Sequence, residues 1–233
     1  DTLTSQPFAL TRVLEAALAV TNIDLRYDQT QLDRIPATGP LAMVANHPFG
    51  VIDGTILCHL AAQARGDFRI LINAVLCRDK DLAPYFLPVD FSPGKAAMKN
   101  NVATGRRARE AMAEDIPVLI FPSGFVSTAG KFGTGRAVDA PWTTFAAKLI
   151  SDARANVVPI FFHGQNSRAF HIASHLSESL RMAFLIREAR ARFGTRFDVT
   201  IGDTLAYESL EEIKGRKALT HYLYDAVQQL DEA

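Results

Sequence analysis

The stretch "PLAMVANHPFGVIDGTILCHL", residues 40–60, decides the fold. Leu41 to Ala45 form a continuous apolar run without polar alternation, the pattern of a strand covered on both faces. From Asp53 the sequence reads as a helix, "DGTILCHLAAQAR", that stops at Gly66. Between the two, Asn46 and His47 end the strand, and Asp53 follows His47 after five intervening residues. A strand–turn–helix unit puts these polar residues at a strand's carboxyl end, where α/β proteins place reactive groups. Two jobs compete for Asp53. It caps the following helix, as carboxylates do, or it bends back to orient the His47 imidazole.

The same pattern recurs outward from this unit. "FRILIN", "IPVLIF" and "NVVPIFF" are short apolar runs, and "RFDVTI" is a late fourth. Helical spacing predicts a first helix over 7–21, with Ser5 as its N-cap and Pro7 in its first turn. "AAMKNNVATGRRAREAMAE" predicts a polar, basic helix, another starts near Pro141, and "GRKALTHYLYDAVQQL" closes the chain. Residues 80–93 are Pro-rich and read as irregular, and 124–135 as a Gly-rich loop. Strands alternating with helices predict an α/β fold around a mainly parallel central sheet flanked by helices. With no repeat or linker composition, one domain over 1–233 is expected.

Composition narrows the function. Hydrophobic residues make up 48% of the 233, so a large core is available, and 25 Lys+Arg balance 25 Asp+Glu. A neutral chain lacks the basic excess that general nucleic-acid binding requires, so no nucleic-acid partner is expected. Cys58 and Cys77 stand apart without a CxxC spacing and are read as reduced thiols in a reducing compartment. No apolar run approaches the roughly 20 residues that span a bilayer, and "DTLTSQPFAL" lacks the pattern of a signal peptide. The expectation is a chain that is soluble or lies on a membrane without crossing it.

An imidazole with an unperturbed pKa of about 6.5 can take a proton near neutral pH. A carboxylate on its other nitrogen stabilises the imidazolium that forms. Three blocks in order carry a resemblance that bears on this. "NHPFGVIDG" (46–54) resembles the first block of the glycerolipid acyltransferase superfamily, Asn-His followed by Asp. "FPSGFVS" (121–127) is similar to its "FPEGTRS" block, and "VVPIFF" (157–162) to its last one, over about 35–165. The five-residue spacer, with Gly50 in the turn, resembles the hemolysin-like branch that includes O-acyltransferases of ornithine-type aminolipids.

That resemblance implies direct O-acyl transfer from acyl-ACP or acyl-CoA to a lyso-lipid hydroxyl, without metal, cofactor or acyl-enzyme. It implies His47 as the base and Asp53 as its orienting carboxylate. It places Asn46, Phe121, Pro122, Ser123 and Gly124 in the substrate site, with the Gly124 amide a candidate oxyanion donor. It also implies a peripheral enzyme at the cytoplasmic face of the inner membrane. The superfamily's Glu and Arg, which hold a glycerol-phosphate acceptor, are replaced by Ser123 and Val126. Losing that Arg removes a bidentate phosphate clamp, so a lyso-aminolipid acceptor is expected over lysophosphatidate. Arg78 is the nearest match to the superfamily's second-block Arg. Arg106 and Lys131 are further candidates for an anionic head group. A non-catalytic lipid-binding protein on the same fold is the rival of another class.

Other motifs fall away. "GKFGTGR" lacks the phosphate-loop spacing and is read as a flexible loop over the site. Ser123 lacks the preceding Gly of a nucleophile elbow. His171 and His175 have zinc-helix spacing, but Ile172 stands where the catalytic Glu belongs, so both are read as surface histidines. His163 is read as structural. Finally, "SHLSESLRMAFLIREARARFG" sets Leu176, Leu180, Ala183 and Phe184 on one side of a helix that also carries four arginines. Such a helix suits an anionic membrane interface or, equally, an ordinary core.

Overall fold

The computed structural model describes residues 7–77 and 82–231. In chain order its elements are α1 (Pro7–Val20), β1 (Asp24–Arg26), α2 (Gln29–Asp33), β2 (Leu41–Ala45), α3 (Val51–Arg65), β3 (Arg69–Asn73), β4 (Phe86–Val89) and α4 (Lys95–Ala113). There follow β5 (Val118–Ile120), α5 (Thr144–Ala153), β6 (Asn156–Phe162), α6 (Arg168–Leu176), α7 (Glu178–Ala191), β7 (Arg196–Ile201), α8 (Tyr207–Glu211) and α9 (Arg216–Gln228). The strands form one sheet in the order β1-β7-β6-β2-β5-β3-β4. From β6 to β4 all neighbours are parallel, whereas β7 runs antiparallel to β6 and carries β1 alongside it. The expected mainly parallel α/β architecture is therefore present.

β2 sits at the centre, and all five of its residues are buried. Leu41, Met43 and Ala45 pack with Ile52, Ile56, Leu57 and Leu60 of α3 in one core layer. Ala42 and Val44 face the other layer, made by Ala108 and Met112 of α4, Ala146 and Ile150 of α5, and Leu223 of α9. Strand geometry alternates side chains between faces, and burial of each large aliphatic contributes about 1.5–3 kcal/mol. That two-sided burial fixes the register of β2. It also fixes where the strand ends, at Asn46.

Three expectations change. β4 lies within the stretch read as irregular; it is an edge strand paired with β3 alone, a place where a proline such as Pro88 is tolerated. The helix expected near Pro141 starts at Thr144. The late amphipathic helix is two helices, broken at Ser177, whose extended backbone and hydroxyl cap α7 by accepting from the Leu180 amide. Ser5 lies outside the described residues. Among the described residues, no helix is long and apolar enough to cross a membrane.

Candidate active site

The turn after β2 reverses at Gly50, whose φ of +87° starts α3. A β-carbon there would stand 3.1 Å from the Leu185 side chain of α7, so the position suits glycine on two counts. The reversal carries Asp53, in the first turn of α3, back under the strand end. Its Oδ2 accepts from His47 Nδ1 at 2.9 Å, from the Phe49 amide at 2.8 Å and from the Gly50 amide at 3.0 Å. The two competing roles for Asp53 are thus filled by one oxygen. It closes the helix start and holds the imidazole.

Asp53 is fully buried, and burial pushes its carboxyl above the usual carboxylate range. The His47 contact and the two amides act in the opposite direction. Because Asp53 accepts at Nδ1, the hydrogen belongs there and the lone pair is on Nε2. Nε2 has no protein partner among the described residues, and the ring lines an apolar cavity of about 320 Å³. Phe121 stacks on the imidazole at 4.0 Å between centroids, tilted by 24°.

The cavity walls come from four strand ends and α4–α5. Ile70 to Asn73 of β3, Val89 at the end of β4, Ile120 at the end of β5 with Phe121 and Pro122 after it, and Phe91, Asn101, Thr143 and Phe145 enclose it. Among the described residues, no lysine or arginine lines it. Behind His47 lies a polar brace. Its amide donates to Asp139 at 3.2 Å, and its carbonyl accepts from the Ser127 amide at 2.8 Å. The Ser127 hydroxyl and the Trp142 indole also bind Asp139. Sequence reasoning missed Asp139, Phe91, Asn73 and Phe145, since none stands inside a recognisable block.

The remaining sequence candidates are distributed unequally. Phe121, Pro122 and Gly124 line the cavity with His47. The Gly124 amide, however, donates to the Phe121 carbonyl at 2.9 Å and is not available to an oxyanion. The Asn46 side chain exchanges two hydrogen bonds with the Phe162 backbone, at 2.8 and 3.0 Å, and ties the end of β2 to β6. Ser123, only 2% exposed, accepts from the Phe125 amide and donates to the Phe125 carbonyl, which tightens the turn. Arg106 is exposed on α4, 3.6 Å from Glu110, and lines no wall of this cavity. Lys131 is exposed at the tip of the Gly-rich loop, equally away from it. Arg78 lies outside the described residues.

The Gly-rich loop is braced rather than free. Thr128 pairs with Val138 as a bridge, and α6–α7 hold its backbone. His171 Nδ1 accepts from the Ala129 amide, His175 Nε2 bonds the Ala129 carbonyl at 2.8 Å, and Arg181 donates to the Val126 carbonyl at 2.5 Å. His171 is therefore buried, not a surface residue, and burial holds its pKa down. His163 bonds Thr200 at 2.7 Å, a contact between β-strand ends. Cys58 and Cys77 are free thiols; burial pushes both upward, Cys58 far beyond the ordinary thiol range.

An α/β sheet with a carboxylate-held histidine at a strand end defines the class. The chain matches the acyltransferase family over residues 12–219 and belongs to it. It is an acyltransferase of the glycerolipid superfamily, which sets aside the non-catalytic rival. Among its relatives, the lyso-glycine lipid O-acyltransferase of Phocaeicola vulgatus is 26% identical, covering 89% of this chain and 74% of the relative. The enzyme of the same name from Bacteroides thetaiotaomicron is 26% identical over 89% of this chain and 76% of its own length. The fold is similar to the crystal structure of the 1-acyl-sn-glycerophosphate (LPA) acyltransferase PlsC from Thermotoga maritima. The TM-score is 0.64 at 14% identity, over 97% of this chain and 78% of that one.

Proposed function

We propose that the protein moves a fatty acyl group from an acyl thioester to the hydroxyl of a lyso-aminolipid, the hydroxyl being carried on an acyl chain. His47 Nε2 takes the hydroxyl proton while Asp53 steadies the imidazolium through Nδ1. The alkoxide oxygen attacks the thioester carbonyl carbon. As the tetrahedral intermediate collapses, the new C–O bond remains, the C–S bond breaks, and the thiolate takes the proton from His47. Transfer is direct, with the acyl group passing from an acyl-carrier-protein or coenzyme A thioester without binding the protein covalently. Asn73 is the candidate oxyanion donor, because its Nδ2 has no partner among the described residues while its Oδ1 accepts from the Val75 amide.

One observation carries the choice of acceptor: the His47 cavity has no cation among its described lining residues. A hydroxyl next to a phosphate would bring that charge into an apolar space without a partner, which is costly. A hydroxyl placed along an acyl chain leaves the head-group charge outside. The names of the two curated relatives, both lyso-glycine lipid O-acyltransferases, support the same acceptor class. The acceptor would come from an anionic bilayer at the cytoplasmic face of the inner membrane, met by the exposed Leu176, Leu180, Met182 and Ile186 with Arg187 and Arg190 beside them.

Competition tests this directly. With a 3-hydroxyacyl lyso-aminolipid and lysophosphatidate at equal concentration in one reaction, the aminolipid product is expected to form first. Consumption of lysophosphatidate ahead of it by more than tenfold would overturn the acceptor assignment.

A further inference from the structure

α4 is the most strongly charged element of a neutral chain. It carries Lys95, Lys99, Arg106, Arg107 and Arg109 before its first acidic residue, Glu110. Lys95, Lys99, Arg106 and Arg107 are exposed. Arg109 and Lys148 share Asp152, and Arg106 meets Glu110 at a loose 3.6 Å. Lys95 and Lys99 have no carboxylate partner among the described residues. Helical spacing puts Lys95, Lys99, Val102 and Arg106 on one stripe. Met98 and Val102, 65% and 68% exposed, give that stripe an apolar centre. An apolar centre inside a charged rim is the anatomy of a transient protein interface.

The stripe also borders a route to the reacting histidine. A second cavity, about 450 Å³, opens between α4 and α5 and is lined by Met98, Val102, Gly105, Phe145 and Leu149 with Arg109 and Lys148 at its polar edge. Asn101 and Phe145 are walls of this cavity and of the one that holds His47. A long flexible arm entering at Met98 and Val102 would be directed toward His47.

We infer that α4 is the docking face for the acyl donor, and that the donor is an acidic carrier protein bearing its acyl thioester on a flexible arm. This rests on the acyl-transfer reading above and names its partner. Length favours a macromolecule: Lys95 and Arg106 lie eleven positions apart, about 16 Å at 1.5 Å per residue, longer than one cluster of nucleotide phosphates needs. Apolar content disfavours a bilayer: only Met98 and Val102 are exposed large apolar side chains on α4, against four on α6–α7 between Leu176 and Ile186. Complementary charge mainly speeds encounter, so the contribution should appear in kcat/KM and fade with salt.

The test uses the full chain and the double variant Lys95→Glu/Lys99→Glu, with its fold checked by circular dichroism. Binding is measured first, by fluorescence anisotropy of a labelled, acylated acidic acyl carrier protein. Salt-sensitive binding to the native protein, weakened at least tenfold in the variant, is expected; no binding to the native protein overturns the inference. Turnover is then compared for acyl-carrier-protein and acyl-coenzyme A donors of one chain length. A tenfold or greater loss confined to the carrier donor at low salt supports the inference, and an equal loss with both donors overturns it. Loss of the variant's binding to anionic phosphatidylglycerol vesicles also overturns it, since α4 would then be a membrane face. Binding is independent of turnover, so a native protein that binds carrier yet transfers nothing to any lyso-lipid counts against the proposed reaction and not against the docking face.

Discussion

Two loops leave neighbouring strands of the same sheet, and both stand in recognisable sequence blocks, yet their side chains do different work. After β2, His47 faces the cavity and Asp53 turns back to hold it. After β5, Ser123 folds inward onto Phe125, and the Gly124 amide is spent on Phe121. Gly124 has a φ of +69°, and a β-carbon there would lie 2.6 Å from the Phe91 ring. The first loop presents the His47 imidazole to the cavity; the second builds the wall against which that ring is held. Phe121 joins them, since it belongs to the second loop and stacks on the histidine of the first. Membership in a motif therefore says where a residue sits, not whether it meets the substrate.

Substitution on the first loop should give the largest effects. His47→Ala is expected to lower acyl transfer by about 10²–10⁴, the usual contribution of a positioned base, with the fold intact by circular dichroism. Near-normal turnover in a folded variant would remove His47 from the mechanism. Asp53→Asn should also be severely impaired, because an amide cannot stabilise an imidazolium. Stability should change little, since the isosteric amide oxygen can still accept from the Phe49 and Gly50 amides and Asn caps helices as well as Asp does. Near-normal turnover in the folded variant would show that Asp53 serves the helix start and not the imidazole.

The second loop should respond in the opposite way. Ser123→Ala removes two local hydrogen bonds to Phe125, worth about 0.5–1.5 kcal/mol each at most, and leaves every cavity-lining atom in place. Stability should fall modestly, by thermal or denaturant unfolding, while KM for the acceptor stays within about threefold. A large KM change with unaltered stability would restore Ser123 as a substrate contact and erase the contrast between the loops.

The fold was legible wherever burial imposed a period. β2, β5 and β6 are two-sided core strands, and their unbroken apolar runs mark them out. β4 was hidden because an edge strand tolerates Pro88 and needs one covered face only. The break between α6 and α7 was hidden because the apolar pattern continues across Ser177, which caps α7 only once its backbone is extended. At the site, His47 and Asp53 were legible because one short turn joins them. The structural tie made by Asn46 was not legible, since its partner, the Phe162 backbone, lies 116 residues away. Asp139 and Phe91 were invisible for the same reason: tertiary structure alone brings them to the histidine.

The smallest expected effect lies behind the second loop. His171 is completely buried, with Nδ1 accepting from the Ala129 amide and Nε2 without a hydrogen-bond partner among the described residues. Burial lowers its pKa most; His175 and Arg181 act the same way, while the Asn166 backbone and Glu188 oppose them. His59 is likewise lowered by burial, with Glu15 opposing. In the unfolded chain both titrate near about 6.5. As pH falls through that value the unfolded state binds protons that the folded state refuses, so stability declines. It is fully present above about pH 6.5 and is lost as pH falls toward the folded pKa values. Asp53 has the opposite sign, because its raised folded pKa makes the folded state take up a proton before the unfolded one does. The comparison is therefore between proteins that share Asp53. In His171→Asn the side-chain oxygen can still accept from Ala129, and packing losses shift stability equally at every pH. Denaturant unfolding at pH 7.5 and pH 5.5 should show a smaller decline for the variant than for the native chain. Equal declines would mean that His171 takes up its proton as readily in the folded protein as in the unfolded chain.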